Sequence, residues 1–115
     1  MADAVFPTGT SIVRNQALTN GRGDSVLRLQ DDGNFVLYQD DKPTWQAEGV
    51  YPNGRAAVFA YDGNLVVLDE NRRVIWESRT GAHENQGSTL AVQDDHNVVI
   101  YNPEGRPIWA TGTNN

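Results

Sequence analysis

Two nine-residue segments place amide, carboxylate, aliphatic and phenol side chains at every second position. The segments are QDDGNFVLY, residues 30–38, and QDDHNVVIY, residues 93–101. Their alternating residues are Gln30, Asp32, Asn34, Val36 and Tyr38 in the first and Gln93, Asp95, Asn97, Val99 and Tyr101 in the second. Such a set can donate and accept several hydrogen bonds and can offer an apolar patch to ring C–H groups. The pattern therefore predicts binding of a small neutral polyol, and it suits metal ions and phosphate poorly.

A purely structural role is the alternative for one such segment, because Gln, Asp and Asn side chains often satisfy the backbone groups of a turn. A turn on its own, however, does not require the Gln at the start of the pattern or the Tyr at its end. Two complete copies therefore favour binding. We expect one exposed site to bind a single sugar weakly, at roughly millimolar concentration, so that useful affinity requires several sites.

The elements that carry these segments belong to an internal repeat. Three aligned stretches cover residues 27–49, 57–81 and 90–112, and each one ends in a segment with a tryptophan, Trp45, Trp76 or Trp109. Each reads as an apolar strand, a turn with Asp-Gly-Asn or Asp-His-Asn, a Val/Leu-rich strand, a polar turn and a Trp-bearing strand. No useful length shows helical periodicity. The pattern predicts an all-β domain of about twelve short strands, with three or four strands in each repeat.

The tryptophans have two possible roles. One four-stranded sheet cannot bury its apolar face alone, whereas three sheets around an axis share one core. A single Trp at the same place in each repeat favours core packing at this axis over a ligand cage.

Composition excludes several functional classes. The 115 residues fit one domain, and the net charge of −6 argues against nucleic acid and anionic membrane surfaces as partners. No apolar stretch is long enough to span a membrane, so we expect no membrane insertion. With no cysteine, disulfides and thiolate sites are excluded. The N-terminus lacks the features of a signal peptide, so we expect a chain that is cytoplasmic, non-classically exported or already processed.

The tandem Gln-x-Asp-x-Asn-x-Val-x-Tyr pattern with a following Trp resembles the signature of the bulb-type (monocot, snowdrop-like) mannose-binding lectins. The resemblance covers essentially residues 1–115 and implies a β-prism II domain, in which three four-stranded antiparallel sheets have pseudo-three-fold symmetry. It also implies binding of α-D-mannose without a metal or cofactor, and a homodimer formed by exchange of the C-terminal strand, here RPIWATG at residues 106–112. The absence of cysteine departs from the single disulfide of the secreted plant members.

The resemblance also implies a role for each residue of the first segment, here named site 1. Asp32 and Asn34 would bind the mannose 2-hydroxyl, and this pair would set specificity because the axial 2-hydroxyl distinguishes mannose from glucose. Gln30 would bind the 3-hydroxyl and Tyr38 the 4-hydroxyl, with Val36 under the ring. The second segment, here named site 3, would repeat these roles with Asp95, Asn97, Gln93, Tyr101 and Val99.

The middle repeat, AYDGNLVVL at residues 60–68, departs from the pattern. This site 2 retains Asp62, Asn64 and Val66, but Ala60 replaces the Gln and Leu68 replaces the Tyr. We therefore expect site 2 to be silent or much weaker than the other two.

Other motifs give weaker signals. GRGDS, residues 21–25, contains the cell-adhesion tripeptide Arg-Gly-Asp. A glycine-rich hairpin turn between two strands explains this segment without a binding partner. The acidic pairs and His83 and His96 lack the spacing of a metal site. Asp32 and Asp95 lie in different repeats, so no glycosidase pair is expected and we predict no enzyme. Two other functions stay open: a structural or protein-interaction β-prism with vestigial sugar sites, and a lectin module used as an antibacterial or defence protein.

Overall fold

The computed structural model describes residues 3–114 and contains three four-stranded antiparallel sheets in this part of the chain. In chain order the strands are β1 (Ala4–Pro7), β2 (Ser11–Val13), β3 (Gln16–Thr19), β4 (Ser25–Leu29), β5 (Phe35–Gln39), β6 (Lys42–Gln46), β7 (Ala56–Phe59), β8 (Leu65–Leu68), β9 (Val74–Glu77), β10 (Thr89–Val92), β11 (Val98–Tyr101) and β12 (Pro107–Ala110). The sheets have the orders β3-β4-β5-β6, β2-β7-β8-β9 and β1-β10-β11-β12. A short 3-10 turn, His83–Asn85, precedes β10. The predicted β-prism II architecture is confirmed.

The fourth strand of every sheet comes from the N-terminal segment. In this segment β1 pairs with β10, β2 with β7 and β3 with β4, all antiparallel. The aligned stretches of the sequence supply the other three strands of each sheet. One short segment therefore connects all three sheets, so that each sheet gains a paired outer strand next to β4, β7 or β10.

Alternation along the strands decides which side chains enter the core. In β5, Phe35 and Leu37 are buried in the central cluster, while Tyr38 lies on the outer face and is half-buried. The other sheets contribute in the same way, and the cluster includes Leu27, Leu29, Phe59, Leu65, Val67, Leu90, Val92, Val98 and Ile100. Successive residues of a strand point to opposite faces, so the same strands that build the core also present the site residues outward.

The three tryptophans meet one another at the centre of the molecule. Their ring centroids lie 5.6 Å apart for Trp45–Trp76, 5.7 Å for Trp45–Trp109 and 5.7 Å for Trp76–Trp109, and all three contacts are edge-to-face. Edge-to-face pairing at this distance is favourable because the positive ring edge meets the negative ring face. The near-equal distances agree with a pseudo-three-fold axis, and the expected core role of the tryptophans is confirmed.

The C-terminal strand pairs within its own chain. Ile100 of β11 lies opposite Trp109 of β12, and Tyr101 lies opposite Pro107. The turn between them is closed by Asn102, whose Oδ1 accepts the N–H groups of Glu104 and Arg106. Exchange of this strand between two chains is not seen here and stays a prediction. Among residues 3–114, no helix is long and apolar enough to cross a membrane.

Candidate functional site

Site 1 forms around the hairpin between β4 and β5. The Tyr38 hydroxyl donates to Gln30 Oε1. Gln30 Nε2 in turn donates to Asp32 Oδ1 over 3.0 Å, and the Asn34 backbone N–H donates to the same oxygen over 3.0 Å. The side chains of Gln30, Asp32 and Tyr38 therefore form one connected hydrogen-bonded set, and Asn34 joins it through its backbone N–H.

The Asp32 carboxylate is exposed and stays ionised. The hydrogen bond from Gln30 is the main cause that lowers its pKa below the ordinary value of 3.8, and the bond from the Asn34 N–H adds to it. Desolvation opposes the shift. Because Oδ1 is used by the turn and by Gln30, a ligand hydroxyl would bind Oδ2, which is a strong acceptor because it carries charge.

Asn34 and Val36 complete site 1, and they contact a residue that sequence reasoning missed. Asn34 Nδ2 donates to Gln46 Oε1 over 2.9 Å, and Asn34 Oδ1 accepts the Phe35 N–H at 3.0 Å. Gln46 lies on β6 directly opposite Val36. Val36 is only 4% exposed, so its contact with a sugar ring is limited to a small apolar area. A depression of about 470 Å³ is lined by Gln30, Asn34, Val36, Tyr38, Pro43, Thr44, Trp45 and Gln46.

Site 3 repeats this arrangement on the hairpin between β10 and β11. Gln93 Nε2 donates to the Tyr101 hydroxyl over 2.6 Å, and the Asn97 N–H donates to Asp95 Oδ1 over 3.0 Å. Val99 is again 4% exposed. The five predicted residues of site 3 thus share the turn and strand positions of their site 1 counterparts, but the Gln–Tyr hydrogen bond runs in the opposite direction, because at site 1 the tyrosine is the donor.

The Asn97 amide of site 3 is oriented by the chain that follows β12. Asn97 Oδ1 accepts the Thr111 hydroxyl at 3.0 Å, the Gly112 N–H at 3.1 Å and the Thr113 N–H at 3.3 Å. With the amide oxygen used in this way, Nδ2 is the group that can donate to a ligand.

Site 2 keeps the turn and its support but lacks two of the binding groups. The Asn64 N–H donates to Asp62 Oδ1 over 3.1 Å, and Asn64 Oδ1 accepts the Ser78 hydroxyl at 3.0 Å. Asn64 Nδ2 donates to Glu77 Oε1 over 2.9 Å. Ala60 and Leu68 have no hydrogen-bonding side chain, so the Tyr–Gln bond of the other sites cannot form.

The outer face of this sheet has a different character from those of sites 1 and 3. A depression of about 760 Å³ is lined by Val13, Arg14, Arg55, Ala56, Leu68, Asp69, Glu70 and Arg72. Arg55 Nη2 lies 3.8 Å from Glu70 Oε1 in an exposed ion pair. Apolar and charged groups replace the amide and phenol of a complete site.

The sequence did contain one indication of the residues that contact the site asparagines, which are Gln46, Ser78 and Thr111. Each lies one or two positions after the Trp of its repeat, in WQA, WES and WAT. The aligned repeats place these residues at the end of the Trp-bearing strand or directly after it. A hydroxyl or amide side chain at the end of a strand is, however, also typical of a loop without a binding role. Their role becomes visible once strand pairing places β6, β9 and β12 beside the Asn of each site.

The remaining motifs are accounted for by local structure. In the GRGDS loop, Asp24 Oδ1 accepts Asn20 Nδ2 at 2.7 Å, and Asp24 Oδ2 lies 3.9 Å from Arg22 Nε. The Asn20 bond is the main cause that lowers the pKa of Asp24. Arg22 and Asp24 thus contact each other and their own loop. Across residues 3–114, no group of three or more His, Cys, Asp or Glu side chains could bind a metal ion.

Proteins similar to this chain in sequence include mannose-specific lectins. No protein-family model matches the chain. The mannose-specific lectin of Aloe arborescens is 38% identical over 113 residues, which cover 96% of this chain and 98% of the relative. Its name is that of a lectin, a carbohydrate-binding protein and not an enzyme.

Two solved structures share the fold. The Marasmius oreades lectin has a TM-score of 0.88 and 31% identity, covering 96% of this chain and 91% of that chain. The snowdrop (Galanthus nivalis) mannose-specific agglutinin, complexed with methyl-α-D-mannoside, has a TM-score of 0.75 and 35% identity, covering 96% of this chain and 97% of that chain. Fold, repeated hairpin sites and near full-length similarity together show that the chain belongs to the bulb-type (monocot, snowdrop-like) mannose-binding lectin family.

Proposed function

We propose that the chain is a metal-independent lectin that binds α-D-mannose on glycans at sites 1 and 3. The observation that carries this proposal is the tyrosine–glutamine hydrogen bond beside the Asp–Asn turn, which occurs at both sites. A turn alone does not need a phenol bonded to an amide, whereas a polyol needs several donors and acceptors within one small area. The naming of the Aloe relative and the mannoside complex of the snowdrop agglutinin support the choice of sugar.

Each polar residue has a role that its geometry supports. At site 1, Asp32 Oδ2 would accept the mannose 2-hydroxyl and Asn34 Nδ2 would donate to it. Gln30 would bind the 3-hydroxyl and Tyr38 the 4-hydroxyl. At site 3 the same roles fall to Asp95, Asn97, Gln93 and Tyr101, with Val36 and Val99 under the respective rings.

The placement of the sites would allow one molecule to bind several sugar residues of a glycan surface at once. Sites 1 and 3 lie on different sheets, so the two cannot bind the same sugar residue. We propose a single domain, residues 1–115, built from three tandem repeats with two working sites and one weak or silent site. Homodimerisation by exchange of β12 would double the number of sites. Linked weak sites raise the apparent affinity for a multivalent surface without any new contact.

A second candidate function has one observation in its favour. The Asp–Asn turn bond also occurs at site 2, at 3.1 Å, although the tyrosine and glutamine are absent there. The Asp and Asn residues thus serve the hairpin even without a sugar. A structural or protein-interaction β-prism with vestigial sites, or a defence protein of the same fold, would retain these turns for that reason.

Titration with methyl α-mannoside separates these functions. We expect Asp32→Asn/Asp95→Asn to weaken binding at both sites by at least about ten-fold, because a hydrogen bond to a charged acceptor contributes about 1.5–3 kcal/mol. Asn keeps a side-chain oxygen for the turn. Asp62→Asn is the matched control, because it changes the same turn bond at a site that we expect to be silent. Absence of binding by the unaltered protein, or equal loss in the control, would contradict the proposal.

A further inference from the structure

A second depression adjoins site 1 and extends beyond the residues that contact one mannose in the proposed function. It measures about 600 Å³ and is lined by Asp32, Asn34, Gln46, Ala47, Glu48, Gly49 and Tyr51. Asn34 and Gln46 line both this depression and that of site 1. Their side chains, joined by the 2.9 Å hydrogen bond, form the boundary between two compartments of one groove.

The loop that builds the second compartment differs from its counterparts at sites 2 and 3. There, Thr80 and Thr113 donate their hydroxyls to the turn carbonyls of Gly63 and His96, each over 2.6 Å. At site 1 the corresponding carbonyl, that of Gly33, accepts the N–H of Gly54, which lies further along the chain. Residues 47–53 therefore precede this contact and form a loop beside the groove, and Tyr51 lies within it.

Chain segments lie closer to the other two turns. At site 2, a Cβ added to Gly81 would lie 2.6 Å from Asp62 Oδ2, so the backbone passes directly beside that carboxylate. At site 3, the N–H groups of Gly112 and Thr113 bond Asn97. The open compartment beside Asp32 is therefore a feature of the path that the site 1 loop takes, which leaves this carboxylate uncovered.

The loop is firmly attached on the side away from the groove. Arg14 donates to the carbonyl of Gly54 over 2.8 Å and to that of Pro52 over 3.1 Å, and also to that of Asp31 over 3.1 Å. Val50 is completely buried in the core. Between these anchors the Tyr51 side chain is 61% exposed. An aromatic ring on a fixed loop binds with little loss of conformational freedom.

We propose that this compartment, here named the Tyr51 subsite, binds the second sugar of a mannose oligosaccharide whose first mannose lies in site 1. The inference rests on the proposed function and deepens it. The C–H groups on one face of a pyranose would pack on the Tyr51 ring, and Glu48, which lines the compartment together with Asp32, would accept its hydroxyls. The two carboxylates favour a neutral sugar and disfavour an anionic one.

The test uses the full chain with site 3 inactivated by Asp95→Asn, titrated by calorimetry. The probes are methyl α-mannoside and the α1,2-, α1,3- and α1,6-linked mannose disaccharides. We expect at least one disaccharide to bind about ten-fold more tightly than the monosaccharide, and Tyr51→Ala to remove that gain. Affinity for methyl α-mannoside stays within about two-fold in the Tyr51→Ala variant, because the ring contacts only the second sugar. Tyr61→Ala is the matched control, since this tyrosine is 75% exposed in the turn of site 2.

Each contrary result has a definite meaning. A disaccharide gain that survives Tyr51→Ala, or an equal gain in an Asp32→Asn chain that retains only site 3, overturns the Tyr51 subsite. Binding of methyl α-mannoside without any disaccharide gain overturns the Tyr51 subsite and leaves the proposed function intact. No binding of any of these probes overturns the proposed function and the Tyr51 subsite with it.

Discussion

The aspartates of the three hairpin turns each use one carboxylate oxygen to stabilise the turn. In Asp32, Asp62 and Asp95, Oδ1 accepts the backbone N–H two residues later, over 3.0, 3.1 and 3.0 Å. This bond is the usual way in which Asp stabilises a tight turn. A turn role and a binding role are therefore compatible. What distinguishes sites 1 and 3 from site 2 is the Gln and the Tyr, not the Asp and the Asn.

The hydroxyl that lies two positions after the tryptophan at sites 2 and 3 gives a prediction at this scale. Thr111→Val removes the hydroxyl that orients Asn97 and also accepts the Val98 N–H at 3.1 Å. In a chain with site 1 inactivated by Asp32→Asn, we expect methyl α-mannoside to bind about five-fold more weakly, as the loss of one hydrogen bond implies. The affinity is measured by calorimetry.

Ser78→Ala provides the comparison, because Ser78 makes the same contact with Asn64 at site 2. Both substitutions lower stability, since each leaves a buried backbone N–H without its acceptor. Only Thr111→Val should weaken mannoside binding. Equal affinities in the two variants would show that Asn97 needs no such support.

At the scale of elements, the strands could be predicted from the sequence and their long-range partners could not. Alternation and turn residues indicate the strands that carry the sites, and the repeated Trp indicates the third strand of each sheet. The N-terminal strands lie outside the repeat, so nothing local shows that they pair with three different sheets. The Tyr51 loop was not predicted for the same reason, because it depends on Arg14, which bonds Gly54 forty residues away.

The docking of the Tyr51 loop on the site 1 turn gives a prediction of stability. Gly33 has φ +87°, and an added Cβ would lie 2.1 Å from the carbonyl oxygen of Pro52. Gly105 has φ +84° with no atom within 4 Å of an added Cβ. We expect Gly105→Ala to cost about 1–2 kcal/mol for the left-handed backbone alone, and Gly33→Ala to cost clearly more.

Urea denaturation of the two glycine variants measures the difference, read from the midpoints at equal slope. Gly33→Ala should also weaken mannoside binding at site 1, because the turn that carries Asp32 must shift. Equal losses of stability would mean that the loop does not pack tightly against the turn.

At the scale of the whole molecule, the three sheets share a core and separate the sites. The tryptophans meet at the axis, while the site residues lie on the outer faces of different sheets. Under the proposed function, this separation would suit dense or branched glycans, because one sugar residue can contact one site only. The number of working sites per assembly therefore decides the avidity.

Strand exchange predicts a dimer in sedimentation equilibrium at micromolar concentration. In the monomer, where β12 pairs with β11 of its own chain, Asn102 Oδ1 accepts two hydrogen bonds in the turn between these strands. Strand exchange opens this turn and loses both bonds. Asn102→Ala therefore destabilises the monomer but not the exchanged dimer, and it raises the fraction of dimer. Asp69→Ala removes the equivalent bonds from Asn71 and Arg73 in an internal turn and should leave the mass unchanged. A monomer at all concentrations, for both the unaltered chain and Asn102→Ala, would contradict exchange.

The central claim is that sites 1 and 3 bind mannose and that site 2 does not. Titration of the isotope-labelled chain with methyl α-mannoside, followed by NMR of the side-chain amides, tests it most directly. We predict that the NH₂ signals of Gln30, Asn34, Gln93 and Asn97 shift on addition of the sugar, while those of Asn64 do not. Equal shifts at Asn64, or no shifts at sites 1 and 3, would contradict the account.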